Sequence, residues 1–168
     1  GYGEKTELMQ GVLTETIYKI ESNLTIGECL FLLVLFGITM RVKKICPKIQ
    51  IVYSVFLILY ITIFRRATIY DNDIQWKIRI FPDFDTFIGN VLNIALFVPL
   101  GFAARTCFGK GKLKNICYTV FGLSLSFFCE IIQYFTNRGW AETNDVLFNT
   151  LGTILGVWVV DKILRSMV

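Results

Sequence analysis

The sequence predicts an all-α fold: a polytopic membrane helix bundle of about five transmembrane helices, with an amphipathic helix before them. Three observations predict it. Five apolar segments approach the roughly 20 residues that a spanning helix needs. Hydrophobic residues make up 54% of the chain and charged residues only 18%, with a mean hydropathy of +0.58, well to the apolar side of a soluble domain. Lys and Arg gather in alternate connections between the segments, as they do when one set of loops stays in the cytoplasm.

The stretch Glu7–Glu21 comes first, with Leu8, Val12, Leu13, Ile17 and Ile20 on one side of a helix. That pattern suits a segment lying along the membrane surface. Residues 1–23 are therefore read as an amphipathic N-terminal segment and 24–168 as a single transmembrane domain. Its predicted spans are Leu24–Met40, Ile49–Phe64, Phe87–Ala104, Ile116–Phe135 and Val146–Ile163, each bounded by charges, Gly or Pro. The first is the shortest. Pro99 and Gly101 in the third permit a bend, because Pro99 removes a backbone donor and frees the Ala95 carbonyl. In the fifth, Gly152 and Gly156 form a GxxxG spacing, read as close helix packing.

Arg41, Lys43, Lys44 and Lys48 separate the first two spans; Arg105, Lys110, Lys112 and Lys114 separate the third and fourth; Lys162 and Arg165 follow near the end. These regions are expected in the cytoplasm, which puts the N-terminus outside and the C-terminus inside. Residues 65–86 and 136–145 then face outward, the first of these carrying four basic and four acidic residues. Trp76, Phe81, Phe84 and Phe87 make that loop an interfacial aromatic belt. The spacing of Asp71, Asp73, Asp83 and Asp85 matches no EF-hand, so no metal site is expected.

The chain has no His, which excludes Ser-His triads, His-based metal centres and His proton relays within it. Cys29, Cys46, Cys107, Cys117 and Cys129 lack CxxC spacing and are expected as free thiols. The start, "GYGEKTELMQ", lacks the basic-then-apolar order of a signal peptide. Membrane lipids are the expected surroundings, with no cofactor and no nucleic-acid partner. Oligomeric state is not legible.

Polar side chains inside a span are costly against lipid and turn toward other helices or a wet cavity. Ser126, Glu130 and Gln133 share one face of the fourth span, and Asp145, Asn149, Gly152 and Gly156 one stripe of the fifth. Asn90 and Asn93 share a face of the third with Phe97, and Arg138 and Glu142 stand in the connecting loop. At about 1.5 Å per residue, Glu130 lies roughly 8–10 Å below the outer end of its helix, so all three stripes occupy the outer half of the membrane. The candidate binding set is Asn90, Asn93, Ser126, Glu130, Gln133, Arg138, Glu142, Asp145 and Asn149. Some have a structural alternative: Asn90 or Asn93 as an interhelical hydrogen bond, and Glu130 as one half of an ion pair with Arg138.

Two blocks carry a family likeness: "NIALFVPLGF", Asn93 to Phe102, and "EIIQYFTNRGWAETNDVLFNTLGTILG", Glu130 to Gly156. They resemble the Asn-led Phe-x-Pro-x-Gly helix, and the ordered Glu-x-x-Gln, Arg, acid-x-x-Asp and Asn-Thr-x-Gly series, of the VanZ family of small bacterial membrane proteins. The resemblance covers about Ile51 to Gly156. It carries over Asn93, Glu130, Gln133, Arg138, Glu142, Asp145 and Asn149, with Glu142 where that family usually has Asp. Residues through Met40 have no clear counterpart in its shorter members.

The resemblance implies a role in the cell envelope of Gram-positive bacteria, with low-level resistance to teicoplanin and no resistance to vancomycin. A protein of that kind would bind a lipoglycopeptide antibiotic's tail or a lipid-linked cell-wall precursor in an outward-facing intramembrane polar pocket. An enzyme would instead use Glu130 and Asp145 as acid and base on a lipid-linked envelope substrate, with Gln133, Asn93 and Asn149 orienting it. A proton-coupled transporter would use Glu130 and require an oligomer.

Overall fold

A backbone in hydrocarbon must satisfy its own hydrogen bonds, so long apolar runs become helices. The computed structural model describes residues 26–43, 46, 48–66, 68, 74–80 and 83–166. The amphipathic helix expected within Glu7–Glu21 lies outside them. The described helices are α1 (Ile26–Val42), α2 (Ile49–Leu59), which continues into a π-helical turn Tyr60–Phe64, α3 (Phe84–Phe108), α4 (Lys112–Thr136) and α5 (Thr143–Ser166). By length and composition, α3, α4 and the stretch Thr143–Ile163 of α5 can cross a membrane, while Ile49–Phe64 is a shorter apolar helix. The fold is helical, as the sequence predicts, and its apolar helices fit a multi-pass membrane protein.

Helix ends differ from the hydrophobic boundaries where polar residues cap or prolong them. Asp83 starts α3 ahead of Phe87: its Oδ1 accepts the Thr86 amide at 2.8 Å and its Oδ2 the Thr86 hydroxyl at 3.0 Å. Those hydrogen bonds, the backbone one foremost, hold the Asp83 carboxyl below the usual carboxylate range. At its other end α3 runs on to Phe108, whose carbonyl accepts Lys114 Nζ at 2.8 Å, and α4 begins at Lys112 within the basic connection. Asn137 ends α4 in the left-handed region, at φ 54°.

Burial is inverted relative to a water-soluble bundle. On α4, Ser126, Glu130 and Gln133 are buried while Phe127, Phe128, Ile131 and Phe135 are exposed. In water such a surface would be an aggregation hazard; against lipid it is the expected one. The apolar core comprises Ile58, Ile63, Phe97, Leu100 and Cys129, with Ala104, Tyr118 and Val157 forming a second cluster.

The most extensive helix contact joins α3 to α5. Gly152 packs on the Ile94 backbone, Gly156 on Val98 and Phe102, and Gly101 on Thr153, each too closely for a Cβ atom. The GxxxG spacing is thus a packing device, in agreement with its sequence reading. Near the Phe108 end of the pair, Arg105 donates from Nε to Asp161 Oδ1 at 2.7 Å, and Asn115 donates to Asp161 Oδ2 at 3.2 Å. Although the sequence assigns Arg105 to a loop, it is only 2% exposed: α3 extends past Ala104, and Asp161 supplies the counter-charge that lets the guanidinium be buried.

At the opposite end, the two connections read from sequence as loops meet in a short parallel ladder, β1 (Ile74–Gln75) with β2 (Ala141–Glu142), Ile74 opposite Ala141 and Gln75 opposite Glu142. Backbone groups left outside the helices find partners in each other there.

Candidate functional site

The end of α2, the start of α3, the end of α4 and the start of α5 converge beside this ladder. The orphan carbonyls of the π-helical turn are capped first. Gln133 Nε2 donates to Thr62 O at 2.8 Å and Arg138 Nη1 to Phe64 O at 3.2 Å. Arg138 therefore holds backbone, and the ion pair with Glu130 considered from sequence does not form.

Arg66 is the cation beside the carboxylates instead, its Nη2 lying 3.7 Å from Asp145 Oδ2. Asp145 Oδ1 accepts Asn93 Nδ2 at 2.8 Å. Glu130, 7% exposed, accepts the Glu142 amide on Oε2 at 2.7 Å. Gly139 makes room for the arginine: at φ 91° its Cα faces Arg66 Nη1 and Cδ so closely that a side chain would displace them. Arg66 acts electrostatically on Glu130, Glu142 and Asp145 together. Burial, and then the charge of Asp145, push the Glu142 carboxyl above the usual range, against the pull of Arg66 and Arg79.

Lower in the bundle, Asn149 Nδ2 donates to Ser126 Oγ at 2.8 Å, and Thr153 Oγ1 donates to Asn149 O at 3.3 Å. Two buried oxygens, Gln133 Oε1 and Asn149 Oδ1, have no hydrogen-bond partner among the described residues.

Asn90 is placed differently. Its Nδ2 donates to the carbonyls of Arg79 and Ile80 at 3.0 and 2.9 Å, and its Oδ1 accepts Asn144 Nδ2 at 2.6 Å. Asn144 Oδ1 in turn accepts the Arg79 amide at 3.0 Å. The pair pins the extended segment 76–80 over the helix ends, so Asn90 is a clamp beside the site.

Of the nine candidates, Asn93, Glu130, Glu142 and Asp145 form one acidic cluster. Gln133 and Ser126 with Asn149 flank it, one turn to either side of Glu130 along α4. Arg138 and Asn90 serve the surrounding backbone. Sequence reasoning missed Arg66, Asn144, Thr62 and Gly139. In the sequence Arg66 is one of the loop charges of 65–86, and the signal for it is its position directly after an apolar helix. Asn144 stands one residue before a predicted site acid. Thr62 and Gly139 contribute through a backbone carbonyl and a missing side chain, which no pattern of polar residues reveals.

A separate groove of about 450 Å³ between α4 and α5 lies toward the Asp161 end, lined by Asn115, Ile116, Ile154 and Trp158 among others, and is not part of this site. In comparisons with known proteins, a family model described as VanZ/LLP1 matches residues 12–165, so the first helix falls inside the matched range, N-terminal of the Ile51 to Gly156 stretch that carries the motifs. No curated protein and no solved structure matches.

Proposed function

Because the chain belongs to the VanZ/LLP1 family, we propose that it is a cell-membrane protein of the Gram-positive envelope that confers low-level teicoplanin resistance. It does so by binding the antibiotic's lipid tail or a lipid-linked wall component at the cluster around Glu130. One observation carries this reading: Glu130 and Asp145 in spanning helices, beside Glu142, Arg66 and the unpartnered buried oxygens of Gln133 and Asn149, are costly to maintain for stability alone. The apolar faces of α4 and α5 border the cluster and suit an acyl chain, while the polar groups suit its head.

The cluster faces outward in this reading, with the N-terminus outside and the C-terminus in the cytoplasm. Four basic residues in the outer 65–86 connection oppose that orientation by count. Two of them stand beside an acidic side chain, Arg65 against Glu28 at 3.0 Å and Arg66 against Asp145 at 3.7 Å. The positive-inside bias of the remaining loops supports it.

An acid–base role for Glu130 and Asp145 has less support. Ser126, the hydroxyl on that face, accepts from Asn149, and Glu130 accepts the Glu142 amide; among the described residues no hydrogen bond joins Ser126 to a base.

The test is teicoplanin and vancomycin susceptibility of a sensitive Gram-positive host expressing the wild type or Glu130→Gln, with membrane levels matched. Selective teicoplanin tolerance with wild type, lost in the variant, is the expected result. Unchanged susceptibility to both drugs with wild type overturns the proposal.

A further inference from the structure

We infer that the site around Glu130 recognises a primary ammonium group carried on an apolar chain and rejects phosphate headgroups. This rests on the binding reading above and narrows it, because an amine-bearing amphiphile and a phosphate-linked precursor are opposite in charge.

Hydrogen-bond inventory comes first. Gln133 Nε2 is committed to a backbone carbonyl, which accepts only, so the orientation of the amide is fixed and the oxygen is the free end. Gln133 is 1% exposed and its Oε1 has no partner among the described residues. Asn149, 3% exposed, also keeps an unpartnered oxygen after donating to Ser126. Gln133 stands one turn along α4 from Glu130 on the same face, and Ser126, which holds Asn149, one turn the other way. Gln133 Oε1 and Asn149 Oδ1 can only accept. What they lack is a donor.

Charge points the same way. Glu130, Glu142 and Asp145 share Arg66, with Arg79 acting on Glu142 from an exposed position. Crowded about one arginine, these acids oppose any further anion, whereas an ammonium favours and balances their ionised forms in a poorly screened setting. The Arg66–Asp145 contact is itself long at 3.7 Å and one-third exposed on the arginine side, so it offers little competition. A primary ammonium carries three N–H donors and one positive charge; a quaternary ammonium carries the charge without donors, and a phosphate monoester is an anion rich in acceptors.

The experiment uses the full-length protein in phosphatidylcholine nanodiscs, titrated with dodecylamine, dodecyltrimethylammonium and dodecyl phosphate, with binding followed by native mass spectrometry. Dodecylamine is expected to bind at least about tenfold more tightly than either other head, and Gln133→Met to remove most of that advantage. Equal affinities, or preference for phosphate, overturn the inference, and so does a folded Gln133→Met protein that keeps the preference. The head-group series needs only wild type, so it decides the question even where the variant does not fold. Teicoplanin protection without amine selectivity would remove this inference and leave the proposed function standing; amine selectivity without protection would do the reverse.

Discussion

Arg66 and Asp145 face one another at 3.7 Å, joining the end of the π-helical turn to the start of α5. Asp145 also holds Asn93 of α3 at 2.8 Å, so one carboxylate ties three elements together. The contact depends on Gly139, whose missing side chain leaves the guanidinium its path.

Removing the cation should therefore loosen this end of the bundle. Arg66→Met leaves Asp145 without its counter-charge, and the expected cost is about 1–2 kcal/mol, less than for a fully buried pair because the arginine is one-third exposed. In the Asp145→Asn background the same substitution should cost little. Denaturant titrations of the four proteins in mixed micelles measure the coupling, and additive costs would show that the pair contributes nothing.

The glycines yield a sharper contrast. Gly152→Ala and Gly156→Ala each drive a methyl group into the α3 backbone, and overpacking of this kind costs about 1–3 kcal/mol. Gly37 and Gly89 have open space where a Cβ would stand, so alanine there should be neutral or slightly stabilising. Thermal unfolding and membrane accumulation of the four single variants separate the two classes.

Periodicity made the helices and half of the site legible. Spacing puts Ser126, Glu130 and Gln133 on one face, and that face is the buried one. Asn149, Gly152 and Gly156 follow the same rule on α5. Partnerships were less accessible. Arg138 and Arg66 both lie in outer connections, and which one reaches the carboxylates depends on how the chain crosses between helix ends, which no repeat encodes. The π-helical turn has no Gly or Pro to announce it, and β1 and β2 are two residues each, set by the meeting of two loops.

The Asn90–Asn144 clamp should fix the segment over the site. Asn144→Ala unpairs Asn90 Oδ1 and frees the Arg79 amide, at an expected cost of about 1–3 kcal/mol. Hydrogen exchange checks this locally. Faster exchange at Arg79 with α3 and α5 unchanged is the expected pattern, and an unaltered Arg79 amide would mean that the clamp does not hold the segment.

A pH dependence follows from Glu142, which lies outside the spanning helices. Burial and the nearby Asp145 raise its pKa in the folded protein above the ordinary value of 4.5. Between those two values the folded state binds a proton that the unfolded state has released, so this carboxyl destabilises the fold at high pH and the penalty fades as pH falls. Below the ordinary value both states are protonated and no dependence is left. Glu142→Gln carries no charge at any pH; it should therefore melt above wild type near pH 8 and converge with it near pH 4. Melting curves at both values decide. A gap that stays constant would show that packing, and not ionisation, separates the two proteins.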